Sequence, residues 1–134
     1  LRDQHQRYFT SSSAIWMVLS AAPLRRLSPA TMRLRPDRII VGEVRGPEAL
    51  TLLKAWNTGH PGGVATVHAN SARGGLTRLE QLIQEAIPTP QKALIAEAVN
   101  IIIFIEHYRN SRRVKEIVEV TGFTDGDYAI RTLI

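Results

Sequence analysis

Glu43 closes a run of apolar residues, Ile39-Ile40-Val41-Gly42, and Arg45 stands two positions further on. A carboxylate just beyond the carboxyl end of a buried strand lies where open α/β sheets bind their ligands. There it can orient a water molecule or hold a magnesium ion, and the arginine can offset phosphate charge. The same eight residues, RIIVGEVR at 38–45, also fit a surface ion pair that follows a core strand. A second group, TGHPGGVATVHA at 58–69, holds His60, His68, two threonines and three glycines. Glycine lets a backbone approach a ligand closely. If 64–68 is a strand parallel to 39–41, His68 ends at the same sheet edge as Glu43 and shares a cleft with it. Either histidine also reads as a hydrogen-bonded structural residue.

Other chemistries find no support. The two histidines have no third ligand at a useful spacing, whereas zinc takes three or four convergent protein ligands. No protein metal site is therefore expected. No G-x-S-x-G elbow is present to suggest a serine nucleophile. The chain holds no G-x-x-x-x-G-K-[ST], and its only lysines, Lys54, Lys92 and Lys115, do not follow glycine. A phosphate cradle needs the amides of such a loop and its lysine, so these residues cannot build one by themselves.

The elements that must position Glu43 and His68 can be read from residue 36 onward. Ile39–Val41 is β-branched, preceded by Arg35-Pro36-Asp37, and predicts a buried strand. Residues 47–56 open with Pro and Glu and carry Leu50, Leu53 and Trp56 at helical spacing. Residues 57–63 form a glycine-rich turn, and 64–68 a second strand. Residues 71–86 read as a helix, ended by Pro88 and Pro90, and 91–98 as a short one. The run IIIFI at 101–105 predicts a third buried strand. Residues 114–120 and 128–133 alternate around Gly122 and Gly126 as a terminal hairpin. Strands alternating with helices predict an α/β fold with a mostly parallel sheet.

The length, 134 residues, suits one domain or part of one. Hydrophobic residues make up 44% and charged residues 22%, the balance of a globular chain. The absence of cysteine excludes disulfides and a thiol nucleophile, and suits a cytoplasmic protein. The net charge of +5 resides in residues 1–38, where seven arginines face two aspartates; residues 39–134 hold ten basic and ten acidic side chains. That balance argues against a domain-wide nucleic-acid face. No stretch reaches the roughly 18–20 apolar residues of a membrane span. Residues 14–22, AIWMVLSAA, loosely imitate a secretory signal, but Asp3 lies in the would-be basic region and no initiator Met precedes it.

Two segments together carry a family likeness: MRLRPDRIIVGEVRG at 32–46 and TGHPGGVATVHANSARGGLTRLEQLI at 58–83. They resemble the type II/type IV secretion ATPase superfamily, and within it the conjugal-transfer ATPases of the TrbB type. RPDRIIVGEVRG resembles the Walker B segment and TGHPGGVATVHANSA the histidine box. NIIIFIEHY and RRVKEIVEVTGF resemble the closing strand and hairpin, so the likeness spans about 31–134. It implies the C-terminal part of a RecA-like ATPase domain. By the same likeness Glu43 would polarise the attacking water and His68 would contact the terminal phosphate. Arg45, Gly59, His60 and Arg33 would lie at the nucleotide, and the cofactors would be ATP and Mg2+.

The resemblance further implies a homo-oligomer, a hexameric ring in which a partner subunit completes each site. It implies other secretion and conjugation components as partners, a cytoplasmic location and peripheral association with the inner membrane; direct nucleic-acid binding is not expected. Residues 1–30, arginine-rich and interrupted by Pro23 and Pro29, depart from the family's pattern. They are expected to be an atypical basic segment, disordered or produced by truncation or frameshift, ahead of the family-like 31–134. The family's phosphate-binding loop precedes its Walker B segment, so this chain by itself is expected to be inactive. Two other readings remain: a non-enzymatic remnant or interaction module that docks on full-length subunits, and a small binding protein whose basic N-terminus touches nucleic acid or acidic lipid.

Overall fold

The computed structural model describes residues 36–134 in full, together with the backbone of two earlier strands, β1 (Arg7–Ser11) and β2 (Ala14–Leu19). The expectations placed on Arg33 and on the remainder of residues 1–30 lie outside the described residues. Strand β3 (Arg38–Val41) is followed by α1 (Glu48–Asn57), β4 (Val64–Ala65), α2 (Ala72–Gln84) and α3 (Lys92–Ala98). Three long strands close the chain: β5 (Ile101–Tyr108), β6 (Ser111–Thr124) and β7 (Asp127–Thr132). Among the described residues no helix is long and apolar enough to cross a membrane.

The first sheet runs β1-β2-β3-β4; β1 and β2 are antiparallel, while β2, β3 and β4 are parallel. Ile39 and Val41 of β3 are fully buried and so anchor it. Helix α1 starts after Pro47, whose fixed φ suits a first turn. Glu48 reaches back there to accept hydrogen bonds from the amides of Arg45 and Gly46, both 3.0 Å. Leu52 and Leu53 of α1 meet Leu76, Leu82 and Ile83 of α2 and Ile95 of α3 in one core. Each such side chain, fully removed from water, contributes roughly 1.5–3 kcal/mol. Ser71 caps α2 by accepting from the Gly74 amide, 2.9 Å.

The second sheet, β5-β6-β7, is antiparallel throughout, which corrects the expectation of a mostly parallel sheet. The cause is local. Arg109-Asn110 and Asp125-Gly126 are two-residue turns, and tight turns join antiparallel neighbours. Asp125 (φ 53°) and Gly126 (φ 82°) both take the left-handed conformation that such hairpins favour. The 114–120/128–133 hairpin is present. The strand IIIFI is not buried on both faces. Ile102 packs against the core, whereas Ile101, Ile103 and Ile105 are about half exposed, at 49%, 55% and 54%. Val118, Val120 and Tyr128 carry this sheet's inner face into the core. Glu116 ties the sheet to α2 by accepting from the Ala72 amide, 3.0 Å.

Candidate functional site

The path from β3 to Glu43 is held by β4. The Val44 amide donates to the Thr66 carbonyl, 2.9 Å, and the Thr66 hydroxyl donates to the Gly42 carbonyl, 2.5 Å. The two chains therefore continue side by side beyond their paired strands. Glu43 and His68, each a few residues past a parallel strand, emerge at the same edge. His68 Nε2 lies 2.8 Å from Glu43 Oε1, and an Arg45 guanidinium nitrogen lies 2.5 Å from Oε2.

The two partners differ in exposure. The Glu43 side chain is 15% exposed, Arg45 73% and His68 91%. Oε1 of Glu43 is sealed from water, with the His68 imidazole against it. The hydrogen bond from Arg45 holds the Glu43 carboxyl below its ordinary value of 4.5; partial burial pulls the other way, and the nearby charges of Arg45 and His68 reinforce the lowering. The carboxylate is thus ionised, with Arg45 on one oxygen and His68 against the other.

Glu43, Val44, Arg45, His68 and Arg78 line a cleft of about 310 Å³. Arg78, on α2, was not singled out from the sequence. Its guanidinium donates to Gln81 one turn along the helix, 3.3 Å, and has no carboxylate partner among the described residues. The signal was available: α2 opens directly after His68, so its first two turns must pass the edge where Glu43 lies.

Gly59 and His60 are not brought to this cleft. They precede β4 and so stand at the opposite, amino-terminal edge of the parallel strands. His60 is buried there, and its Nδ1–H donates to the Pro36 carbonyl ahead of β3, 2.6 Å. Gly59 supplies a left-handed turn residue, φ 114°. Gly63 serves a different close approach from the one its sequence suggests. The Trp56 indole passes over it to donate to the Ile39 carbonyl, 3.3 Å, and a Cβ on residue 63 would stand 2.0 Å from the indole nitrogen.

The donor set favours an anion. Two guanidinium groups and an imidazole share the cleft with one carboxylate, which suits phosphate oxygens. Magnesium prefers six oxygen ligands, often several of them water. The cleft supplies only the Glu43 carboxylate, already engaged by Arg45. The described residues therefore fit a phosphate group and do not by themselves fit a magnesium ion.

Residues 20–122 match the family described as type II/IV secretion system protein. The chain belongs to that family. This secretion-family chain is 56% identical over 109 residues to a probable conjugal transfer protein TrbB of Sinorhizobium fredii, covering 81% of the chain and 34% of that relative. It is 30% identical over 128 residues to the type IV secretion system protein PtlH of Bordetella pertussis, covering 91% of the chain and 37% of PtlH. The family chain thus spans about a third of the length of these curated relatives. Its fold is similar to that in the crystal structure of the VirB11 ATPase from the Brucella suis type IV secretion system in complex with sulphate. The TM-score there is 0.61 at 24% identity, over 70% of this chain and 30% of that one.

Proposed function

We propose that these residues form the Walker B and histidine-box half of an ATPase site that powers conjugative DNA transfer through a type IV secretion apparatus. The observation that carries this reading is the meeting of Glu43 and His68, from separate parallel strands, in a cleft that also holds Arg45 and Arg78. Glu43, ionised, would accept a proton of the attacking water through Oε1 once His68, which covers that oxygen at 2.8 Å, turns to the phosphate. Arg45 fixes the carboxylate by its other oxygen, so Oε1 keeps its direction. His68 and Arg78 offer donors to the terminal phosphate, where negative charge concentrates as it transfers.

ATP would supply the phosphoryl group. The phosphate cradle comes from a G-x-x-x-x-G-K-[ST] segment outside these 134 residues. The relatives support assembly with other secretion components. We read the working form as a ring of copies at the cytoplasmic face of the membrane.

The test uses the protein extended upstream to include that segment. Glu43→Gln keeps the shape of the side chain and removes its charge. It should lower ATP turnover by about 10²-fold or more, the usual contribution of a positioned base, and leave nucleotide affinity unchanged. Equal loss of binding and turnover would make Glu43 structural and overturn the reading. The 134-residue chain alone should hydrolyse no ATP above its own Glu43→Gln control.

A further inference from the structure

The hairpin of β5 and β6 carries a feature that the nucleotide site does not use. Strand β7 pairs with β6 only from Val118 to Thr124, and the residues after it reach no further than Ile117. Beyond that point β5 and β6 run on as a two-stranded ribbon, with Ile105 opposite Val114, Glu106 opposite Arg113, His107 opposite Arg112 and Tyr108 opposite Ser111. Every residue from His107 to Lys115 is exposed. That segment, HYRNSRRVK, holds Arg109, Arg112, Arg113 and Lys115 and no acidic residue. The even charge balance of residues 39–134 conceals a local basic arm.

The register places cations on both faces. Directly opposed residues share a face, and faces alternate along a strand. His107 and Arg112 therefore occupy one face, and Glu106 and Arg113 the other. Glu106 is shared by Arg113, 2.6 Å, and Lys115, 3.0 Å. Among the described residues neither Arg109 nor Arg112 has a carboxylate partner. Arg113 and Arg109 both stack on the Tyr108 ring, at 3.9 and 5.3 Å, a contact that leaves guanidinium N–H groups free at the rim.

We propose that this ribbon seats in a groove of duplex nucleic acid, with Arg109 and Arg112 on its phosphates. A planar membrane would meet one face of a ribbon, and bilayer insertion would need an apolar tip. This tip is Arg109-Asn110-Ser111, and its cations lie on both sides. A groove offers phosphates along two walls, and the major groove admits a two-stranded ribbon. The proposal is independent of the nucleotide site.

Binding of a short fluorescein-labelled duplex DNA, followed by anisotropy across a salt series, tests it with the whole chain. The variant Arg109→Asn/Arg112→Gln keeps the turn polar. Arg25→Gln/Arg26→Gln removes the same charge elsewhere. Melting temperatures confirm that both variants fold. The ribbon variant should bind roughly tenfold more weakly at low salt and lose about 2 from the slope of log affinity against log salt, about 0.9 per phosphate contact removed. The control variant should keep the wild-type slope. Unchanged duplex binding by the ribbon variant overturns the proposal. So does the opposite pattern of sources, in which the ribbon variant loses phosphatidylglycerol vesicles but keeps the duplex.

Discussion

His68 Nε2 stands 2.8 Å from the Glu43 carboxylate, while Arg45 grips the other carboxylate oxygen of the same residue at 2.5 Å. The arrangement depends on parallel pairing. Only strands that run the same way can deliver two residues, each shortly past its strand, to one edge. The Val44–Thr66 and Thr66–Gly42 hydrogen bonds extend that pairing to within two residues of Glu43 and His68. The cleft is therefore built on strand ends fixed by a buried core, which limits how far its groups can drift.

Arg45 is the main cause of the lowered Glu43 pKa, so Arg45→Met should raise it toward the ordinary value of 4.5. Carboxyl chemical shifts followed by NMR through an acid titration measure this directly. The sign for stability follows from linkage. A carboxyl whose folded pKa is depressed stabilises the fold above the ordinary value, and that contribution disappears as pH falls through the folded value. Glu106, lowered by Lys115 and Arg113, and Asp127, lowered by the Tyr128 amide and Arg73, act in the same direction. Acid should therefore destabilise the chain progressively below about pH 4.5, and Arg45→Met should weaken that dependence. An unmoved Glu43 titration would show that Arg45 does not hold the carboxylate in solution.

His68→Ala, in the protein extended to include the phosphate-binding segment, should reduce ATP turnover far more than stability. The ring is 91% exposed, so its removal opens no cavity, and it uncovers Glu43 Oε1 to water rather than leaving that oxygen buried. Exposed substitutions of this kind usually stay within about 0.5 kcal/mol. A paired measurement of melting temperature and ATPase rate separates the roles. A large fall in melting temperature, with activity tracking the folded fraction, would make His68 structural.

The helices and the first strands were legible because local signals agreed: Pro47 at a helix start, leucines at helical spacing, β-branched residues ahead of Gly42. The meeting of Glu43 with His68 followed from assuming parallel strands. Sheet orientation at the chain's end was not legible, because an apolar run such as IIIFI fits a parallel or an antiparallel partner equally. The Arg109-Asn110 turn decides it, and a turn with arginine in the left-handed position carries little sequence signal. His60 shares a motif with His68 but lies at the other end of β4, a separation that spacing alone does not reveal. Arg78 was hidden among surface charges until α2 was placed against the cleft.

Tyr128→Phe should leave stability nearly unchanged or raise it. The hydroxyl is buried with no aligned hydrogen-bond partner. Burial, with Glu80 close by, pushes its pKa far above the ordinary value of 10.0. Removing a buried hydroxyl whose contact with Glu80 is not an aligned bond, while keeping the ring, sets a relieved desolvation cost against the lost contact and retains the packing. Chemical denaturation of the pair measures the difference. A clear loss in the variant would reveal a hydrogen bond made by this hydroxyl.

Arg109→Gly should stabilise the hairpin. Arg109 adopts φ 52°, where a Cβ crowds the backbone and glycine does not. Strain of this kind costs of order 1 kcal/mol, against which glycine's greater unfolded freedom must be set. A net gain of a few tenths to about 1 kcal/mol is expected. Thermal melts of the two proteins check it, and a lower melting temperature for the variant would show that the stacking of Arg109 on Tyr108 outweighs the strain.

Gly63→Ala should be the most damaging small substitution in the first sheet. The Trp56 indole crosses the backbone at residue 63 to reach the Ile39 carbonyl, which joins the end of α1 to the middle of β3. A methyl group at 63 would stand 2.0 Å from the indole nitrogen, 2.5 Å from its ring carbon and 2.6 Å from the Ile39 carbonyl oxygen. The last of these is backbone in a buried strand, so it has no rotamer by which to yield. The indole must leave, breaking its hydrogen bond, or β4 must shift away from β3. Overpacking usually costs about 1–3 kcal/mol, and the lost hydrogen bond adds roughly 1 kcal/mol. Because Val64 begins β4 at the next residue, a shift would also separate Glu43 from His68, so nucleotide turnover in the extended protein should fall with stability. Trp56→Phe resolves the cause: it removes the indole N–H and some bulk, so Gly63→Ala should cost less in that background than in the wild type. Equal costs in the two backgrounds would mean that the Ile39 carbonyl alone sets the penalty, and the indole would lose its place in the explanation.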